Sequence, residues 1–396
     1  MTDRLYYTDP YLRTFDATVV RTLDHEGRPA VVLDRTAFYP TSGGQPFDVG
    51  RLGSSAVLDV VDLDGLVAHV VDAPLADGTP VTGEIDWARR FDHMQQHTGQ
   101  HVLSAALDRL FGDRTVSFYM GAAVSTIDLA RELPPADLER GVDEANRIVW
   151  EDRPVSIRFA SDDEARAMPL RKESARTGEL RLIDVEGFDL SACGGTHVAR
   201  TGAVGLIAVV HAERFKGGQR VTFVCGARAL RVLREHRDAV AGSVKAISVL
   251  PQELPAAVEK VQTEAKALRK QVSSLQVRLA AQEAAQLLAA TSPGPDGVRR
   301  VVTVYEGWDA NGLKAIASSL AAHGQAAVAL VSGASPALVV VARSEGVAVD
   351  ASAVLAQLTA RFGGRGGGKA GLAQAGGLDA APDAVAAAVH DLLLTN

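Results

Sequence analysis

Two short segments carry the residues best suited to chemistry. One is His97-Thr98-Gly99-Gln100-His101 and the other is Cys193-Gly194-Gly195-Thr196-His197. Together they offer three imidazoles and one thiol, a donor set that zinc prefers. His97 and His101 are four residues apart, so a helix would put both rings on one face. A His-x-x-x-His pair also occurs as two half-buried rings packed at a helix surface. The segment is not His-Glu-x-x-His, so it lacks the general base of the zinc metalloproteases. Cys193 sits among glycines with a histidine four residues on, and two glycines allow a tight reversal that aims Sγ and the His197 ring inward. The second cysteine, Cys225 in Val-Thr-Phe-Val-Cys-Gly, reads as inert packing.

The elements that must position these groups are legible in outline. The chain has 396 residues, enough for two to four domains and a sizeable core. Apolar residues make up 47 % and the formal net charge is −7. That balance speaks against a general nucleic-acid binder without excluding a local basic groove. Two cysteines give no disulfide framework, and a reduced cytoplasmic setting is expected. The start of the sequence lacks an apolar signal core, and no long uniformly apolar run suits a membrane span.

The spacing predicts an α+β protein in four parts. Residues 1–88 read as short Val- and Leu-rich strands broken by Gly, Pro and Asp, and predict a small β-barrel or curled sheet. Within them, Thr41-Ser42-Gly43-Gly44-Gln45 is either a tight turn or a place where backbone N–H groups meet phosphate or a terminal adenosine. Residues 89–242 predict an α/β domain with an antiparallel sheet around the donor set. Its first helix covers 92–111. The alternation of Val124–Leu129 puts Ser125, Ile127 and Leu129 on one strand face, and Thr126 and Asp128 on a polar face that could line a pocket. Arg166, Arg171, Lys172, Arg176 and Arg181 form a basic cluster, read as phosphate contacts or as a solvated face. Residues 243–297 hold a heptad seam, Val258, Val261, Ala265, Leu268, Val272, Leu275 and Leu279, which predicts a coiled-coil hairpin or dimer stalk. Residues 298–396 alternate strands and helices, and the stretch 363–377 contains eight glycines with Arg365 and Lys369. That stretch reads as flexible, or as a backbone nest for phosphates.

Taken in order, Phe38-Tyr39-Pro40-Thr41-Ser42-Gly43-Gly44-Gln45-Pro46, His97-x-x-x-His101, Ser117-Phe118-Tyr119-Met120-Gly121, Cys193-Gly194-Gly195-Thr196-His197 and Gly363-Gly364-Arg365-Gly366-Gly367-Gly368 resemble the editing half of alanyl-tRNA synthetases and the free-standing AlaX-type editing proteins. The glycine-rich end behind a heptad stalk resembles the DHH-associated domain, so a long AlaX form is the expected match. The resemblance implies zinc-dependent hydrolysis of Ser-tRNA(Ala), and of Gly-tRNA(Ala), on tRNA(Ala) as partner. It implies His97, His101, Cys193 and His197 as metal residues, with His197 either a fourth ligand or the base. Thr41, Ser42, Gly43, Gly44 and Gln45 are the expected substrate-binding residues, Thr126 and Asp128 the expected catalytic auxiliaries, and Arg365 and Lys369 the expected tRNA contacts. The Phe118-Tyr119-Met120-Gly121 run departs from the Gln-Lys-Gly-Ser of the synthetases, so contacts made through that Gln are not carried over. Other readings are a non-catalytic tRNA-binding module with a structural zinc, a DHH phosphoesterase, and a ribosomal release activity through Gly43-Gly44-Gln45. The phosphoesterase reading fails on the absence of any Asp-His-His tripeptide.

Overall fold

Residues 1–171 and 178–395 are described by the computed structural model; Lys172 and Arg176 of the basic cluster lie outside them. The chain divides into two units, Met1–Gly242 and Ser243–Asn396.

The first unit begins with six strands that close on themselves: β1 (Thr14–His25), β2 (Arg28–Leu33), β3 (Gly50–Leu52), β4 (Ser55–Leu63), β5 (Leu66–Val71) and β6 (Pro80–Ile85). The pairing runs β1-β2-β5-β4-β3-β6 and returns from β6 to β1 in antiparallel register, Phe15 opposite Gly83. Alternating side chains fill the inside, among them Val19, Leu33, Leu52, Val57, Val60 and Val67. Phe38 from the connection between β2 and β3 joins them, so the Phe38–Pro46 segment is anchored to the barrel core.

Helix α1 (Trp87–Phe111) follows at once. Asp86 caps it by accepting from the Arg89 N–H, and Gly112, at φ +62, ends it. The apolar pattern predicts a start near 92. The earlier start comes from Asp86, whose carboxylate satisfies a first-turn N–H. The helix is buried nearly all round although it is rich in polar residues. Gln96 explains how: its Oε1 accepts from the Cys225 N–H at 2.9 Å and its Nε2 donates to the Cys225 carbonyl at 3.0 Å, so it pairs with the Cys225 backbone as a strand residue would. Gly99 lets the backbone pass close to Cys225, since a Cβ there would lie 2.3 Å from Sγ.

Around α1 lie β7 (Thr115–Met120), β8 (Ser125–Leu129), α2 (Pro135–Trp150), β9 (Val155–Ala160), α3 (Asp162–Arg166), β10 (Leu180–Val185), β11 (Asp189–Ala192), β12 (Ile207–Phe215) and β13 (Gly218–Cys225). Two antiparallel sheets result, β12-β13-β8-β7 and β9-β10-β11. Met94, Val102, Leu103 and Leu107 of α1 pack against Leu138, Val142 and Val149 of α2 and against Ile127, Val221 and Phe223 of the first sheet. The sequence places a strand from Ala203; the chain instead makes a 3-10 turn at Thr201–Val204, ended by Gly205 at φ +81, and the strand starts at Ile207.

Helix α4 (Gly226–Ile247) leads across the unit boundary to α5 (Leu254–Ala290). In the second unit, Ala280 and Ala284 of α5 pack against Leu313, Ile316 and Leu320 of α6 (Ala310–Ala322). The heptad residues Val258, Val261, Leu268, Val272, Leu275 and Leu279 are exposed. The seam is therefore present on a single helix and is left uncovered by the described residues of its own chain. Strands β14 (Arg299–Tyr305), β15 (Ala326–Ser332), β16 (Ala337–Arg343), β17 (Arg365–Lys369) and β18 (Leu372–Leu378), with α7 (Ala351–Phe362) and α8 (Pro382–Thr395), complete this unit. The sheet order is β14-β15-β16-β18-β17. The glycine-rich stretch is thus a hairpin at the sheet edge, neither a coil nor a nest, because β18 is bonded on both sides and holds β17 in register. No described helix is long and apolar enough to cross a membrane.

Candidate metal centre

Helix α1 and the loop after β11 bring all four donors together. The ligating atoms of His97, His101, Cys193 and His197 lie within 4.8 Å of one another. Cys193 Sγ is 3.4 Å from His97 Nε2 and 3.4 Å from His197 Nε2. The His97 and His101 ring centroids are 4.5 and 4.6 Å from that of His197.

Each imidazole is oriented by a partner on its other nitrogen. Gln45 Oε1 is 2.7 Å from His97 Nδ1, Asp189 Oδ2 is 3.1 Å from His101 Nδ1, and Thr98 Oγ1 is 3.1 Å from His197 Nδ1. An amide oxygen and a carboxylate can only accept, so His97 and His101 carry their proton on Nδ1 and present the Nε2 lone pair to the centre. This fits zinc: three aimed imidazole nitrogens and a sulfur, each ring locked from behind.

These supports are themselves held. Gln45 Nε2 donates to Thr196 Oγ1 at 2.9 Å and its Oε1 also accepts from the Thr196 N–H at 3.1 Å, so one amide ties the barrel segment to both ligand segments. Asp189 accepts from Arg171 Nε at 2.6 Å and from Ser191 Oγ at 3.1 Å. Burial alone would raise the Asp189 carboxyl; hydrogen bonds from His101 and Arg171 outweigh it and hold it well below the usual range. Burial also opposes the Cys193 thiolate, but the neighbouring His97 and His197 rings pull the thiol far below its ordinary value. Burial, with His97 alongside, pushes His197 down to about 3, so its ring stays neutral and available as a ligand. An Asp189→Asn variant removes the charge behind His101 and keeps the shape. It is expected to weaken zinc binding about 10–100-fold, measured by competition against a chromogenic chelator. Unchanged affinity would show that His101 needs no such support.

The loop glycines act through space, not through left-handed backbone. Neither Gly194 nor Gly195 has positive φ. A Cβ on Gly195 would sit 2.2 Å from His97 Cε1, so its role is to let the loop touch the ring. Gly43 and Gly44 do take positive φ, +56 and +86. Gly44 presses on the Phe118 carbonyl, and its own carbonyl accepts from the Met120 N–H at 2.9 Å, which docks the turn onto β7.

A cavity of about 500 Å³ opens over the donors. Its wall includes Ser42, Gly43, Gln100, Ser117, Phe118 and Arg181, together with His97, His101 and Cys193. Of the expected substrate residues, Ser42 and Gly43 face this space. Thr41 is exposed outside the wall and its Oγ1 accepts from the Phe47 N–H, closing the turn. Gln45 is fully buried and faces the ligands, so it is not displayed as a release-type Gly-Gly-Gln needs. Thr126 and Asp128 do not reach the cavity. Their strand buries Ser125, Ile127 and Leu129 toward α1, and Asp128 on the opposite face pairs with Arg220 at 2.7 Å. The expected catalytic role for that polar face is therefore corrected. In the basic cluster, Arg166 is solvated beside Asp163, while Arg171 and Arg181 turn inward. Arg365 and Lys369 are exposed on β17. Sequence reasoning missed Asp189, Thr98 and Gln100. Thr98 and Gln100 carried a weak signal, lying on the ligand helix beside His97 and His101.

Comparison with known proteins bears on the whole chain. The family model described as threonyl and alanyl tRNA synthetase second additional domain matches residues 180–222, that of tRNA synthetases class II (A) matches residues 10–89, and the DHHA1 domain matches residues 297–393. The alanyl-tRNA editing protein AlaX-L of Pyrococcus horikoshii is 31 % identical over 404 residues, covering 97 % of this chain and 96 % of that protein. The alanine–tRNA ligase of Pyrococcus furiosus is 37 % identical over 298 residues, covering 70 % of this chain and 32 % of the ligase. That of Halobacterium salinarum is 36 % identical over 397 residues, 96 % of this chain and 42 % of the ligase. The chain thus spans well under half the length of these ligases and nearly the full length of the editing protein. The crystal structure of the C-Ala domain from Aquifex aeolicus alanyl-tRNA synthetase is similar at 23 % identity over 26 % of this chain and 96 % of that one, with a TM-score of 0.24.

Proposed function

Because the chain belongs to the family of the alanyl-tRNA editing protein AlaX-L, we propose that it deacylates mischarged Ser-tRNA(Ala), and Gly-tRNA(Ala), returning free amino acid and reusable tRNA. The observation that carries this reading is the buried three-histidine, one-cysteine cluster at the floor of a cavity large enough for an amino acid and part of a nucleoside. In the reaction a water oxygen bonds to the ester carbonyl carbon. The bond from that carbon to the ribose oxygen breaks, the ribose oxygen takes a proton, and the amino acid leaves as its carboxylate with one proton released. Zinc, when bound, supplies Lewis acidity beside the ester.

The chain's own groups do the rest. His97, His101, Cys193 and His197 hold the ion. His197 is assigned to the donor set and not to a base role, because its Nε2 faces Cys193 and its Nδ1 is engaged by Thr98. Four protein ligands favour an ion that positions the substrate. Ser42, Gln100 and Ser117 are the polar wall groups suited to a serine hydroxyl; a hydrogen-bonding site discriminates far better than an apolar one. Arg365 and Lys369, exposed on β17, are the side chains we assign to tRNA phosphates, and the exposed heptad face of α5 suits a second copy.

The test is deacylation of Ser-, Gly- and Ala-tRNA(Ala) by the purified chain, with and without a zinc chelator. Serine is expected to be released rapidly, alanine to be spared, and the chelator to abolish release. Cleavage of Ala-tRNA(Ala) as fast as Ser-tRNA(Ala) would end the proofreading reading.

A further inference from the structure

One buried cation in the cavity wall has an unused donor. Three arginines among the described residues are less than a tenth exposed: Arg90, Arg181 and Arg228. Arg90 is paired with Asp48 and Arg228 with Asp92. Arg181, 7 % exposed, has no carboxylate within ion-pair distance among the described residues. Its bonds are to three neutral carbonyls: Nε to Tyr7 at 2.8 Å, and Nη1 to Cys193 at 2.6 Å and Gly195 at 2.9 Å. Nη2 is buried and has no hydrogen-bond partner. Nor is the Cys193 sulfur its acceptor: that sulfur is engaged by His97, His197 and the Gly195 N–H.

A buried guanidinium with no carboxylate partner is costly even with the Cys193 thiolate attracting it, and an idle buried N–H adds to the cost. Arg181 lines the same cavity as the metal donors. Two of the carbonyls that grip it belong to the ligand loop itself, so its position is fixed relative to the cluster before any substrate arrives. A donor shielded from water beside the cavity is the arrangement that stabilises charge appearing during a reaction.

We propose that Arg181 Nη2 is a catalytic donor: it hydrogen-bonds the carbonyl oxygen of the aminoacyl ester as that oxygen becomes negative on attack by water. This rests on the deacylase reading above. No proton leaves the guanidinium. The carbonyl π pair moves onto the oxygen when the water oxygen bonds to carbon, and returns when the ribose oxygen departs. Among the described residues, Arg181 Nη2 is the buried side-chain N–H of this cavity wall that has no partner.

The test uses zinc-loaded full-length protein, wild type and Arg181→Lys, with two probes. One is serine joined through an amide to 3′-amino-3′-deoxyadenosine, planar and neutral. The other is its phosphonamidate counterpart, tetrahedral and anionic. Calorimetry is expected to show Arg181→Lys weakening the anionic probe about 100-fold and the amide less than about threefold, with zinc content and melting temperature unchanged. Equal weakening of both probes overturns the proposal, because the partner is then a group they share. So does an unchanged anionic probe, or loss of zinc, which would make Arg181 only a clamp on the loop. Should Arg181→Lys fail to fold, Arg181→Gln gives the same comparison. Wild type that binds neither probe overturns the deacylase reading itself; wild type that binds both while the variant matches it overturns only the role of Arg181.

Discussion

Replacing Cys193 with Ala is expected to weaken zinc binding more than about 100-fold and to reduce Ser-tRNA(Ala) release to background. The estimate follows from sharing roughly 10–16 kcal/mol of zinc binding among four ligands, so that one ligand accounts for about 3 kcal/mol. The thiolate is also the only anionic donor among the four, so its loss leaves a doubly charged ion facing three neutral rings. Cys225→Ala is the control. That thiol is fully buried against Gly99, and burial holds it protonated, far above its ordinary value. Zinc content and rate are expected to stay at wild-type level in it. Metal analysis and single-turnover deacylation measure both variants. A Cys193→Ala protein that keeps full zinc and rate would remove the cluster from the mechanism. One that unfolds would show that the ion holds the fold, which is the non-catalytic reading.

The second large effect concerns stability. Asp48→Ala is expected to cost about 3–5 kcal/mol, read as a lower denaturation midpoint of the first unit. Asp48 and Arg90 are both fully buried and bonded Nε to Oδ2 at 3.0 Å. Arg90 Nη1 also donates to the Pro10 carbonyl at 2.8 Å, and Asp48 Oδ2 accepts from the Tyr39 N–H at 2.7 Å. The pair therefore ties the N-terminal segment, the segment leading to Gln45, and α1 at one point. Most of the cost is the orphaned guanidinium, not the net worth of the pair. The double variant Asp48→Leu with Arg90→Met is accordingly expected to recover much of the loss. A single-variant loss under about 1 kcal/mol would contradict this account. Because the segment from Tyr39 carries Gln45 toward His97, zinc affinity is expected to fall together with stability.

How much of the protein was legible before the fold can be judged from particular residues. Both ligand segments were, because His97 and His101 at helical spacing and Cys193 at the same interval from His197 are local patterns. Four of the six barrel strands were too, since alternating Val and Leu bounded by Gly and Asp report a half-buried pleat. Thr126 and Asp128 were misplaced because alternation says which residues share a face and not which face α1 will cover. The glycine-rich stretch was misread because Gly has little strand preference of its own; pairing with β18, itself bonded to β16, supplied what propensity lacked.

By itself, then, the sequence determined which three imidazoles and one thiol could meet, the helix that spaces two of them, and most of the short strands before that helix. Only tertiary structure decided that Gln45 locks His97 across 52 residues, that Asp189 locks His101 across 88, and that Arg181 keeps one N–H unspent beneath the ligand loop. The physical reason is that ring orientation and buried charge depend on partners brought together by packing. Periodicity along the chain carries information only about neighbours a few residues away.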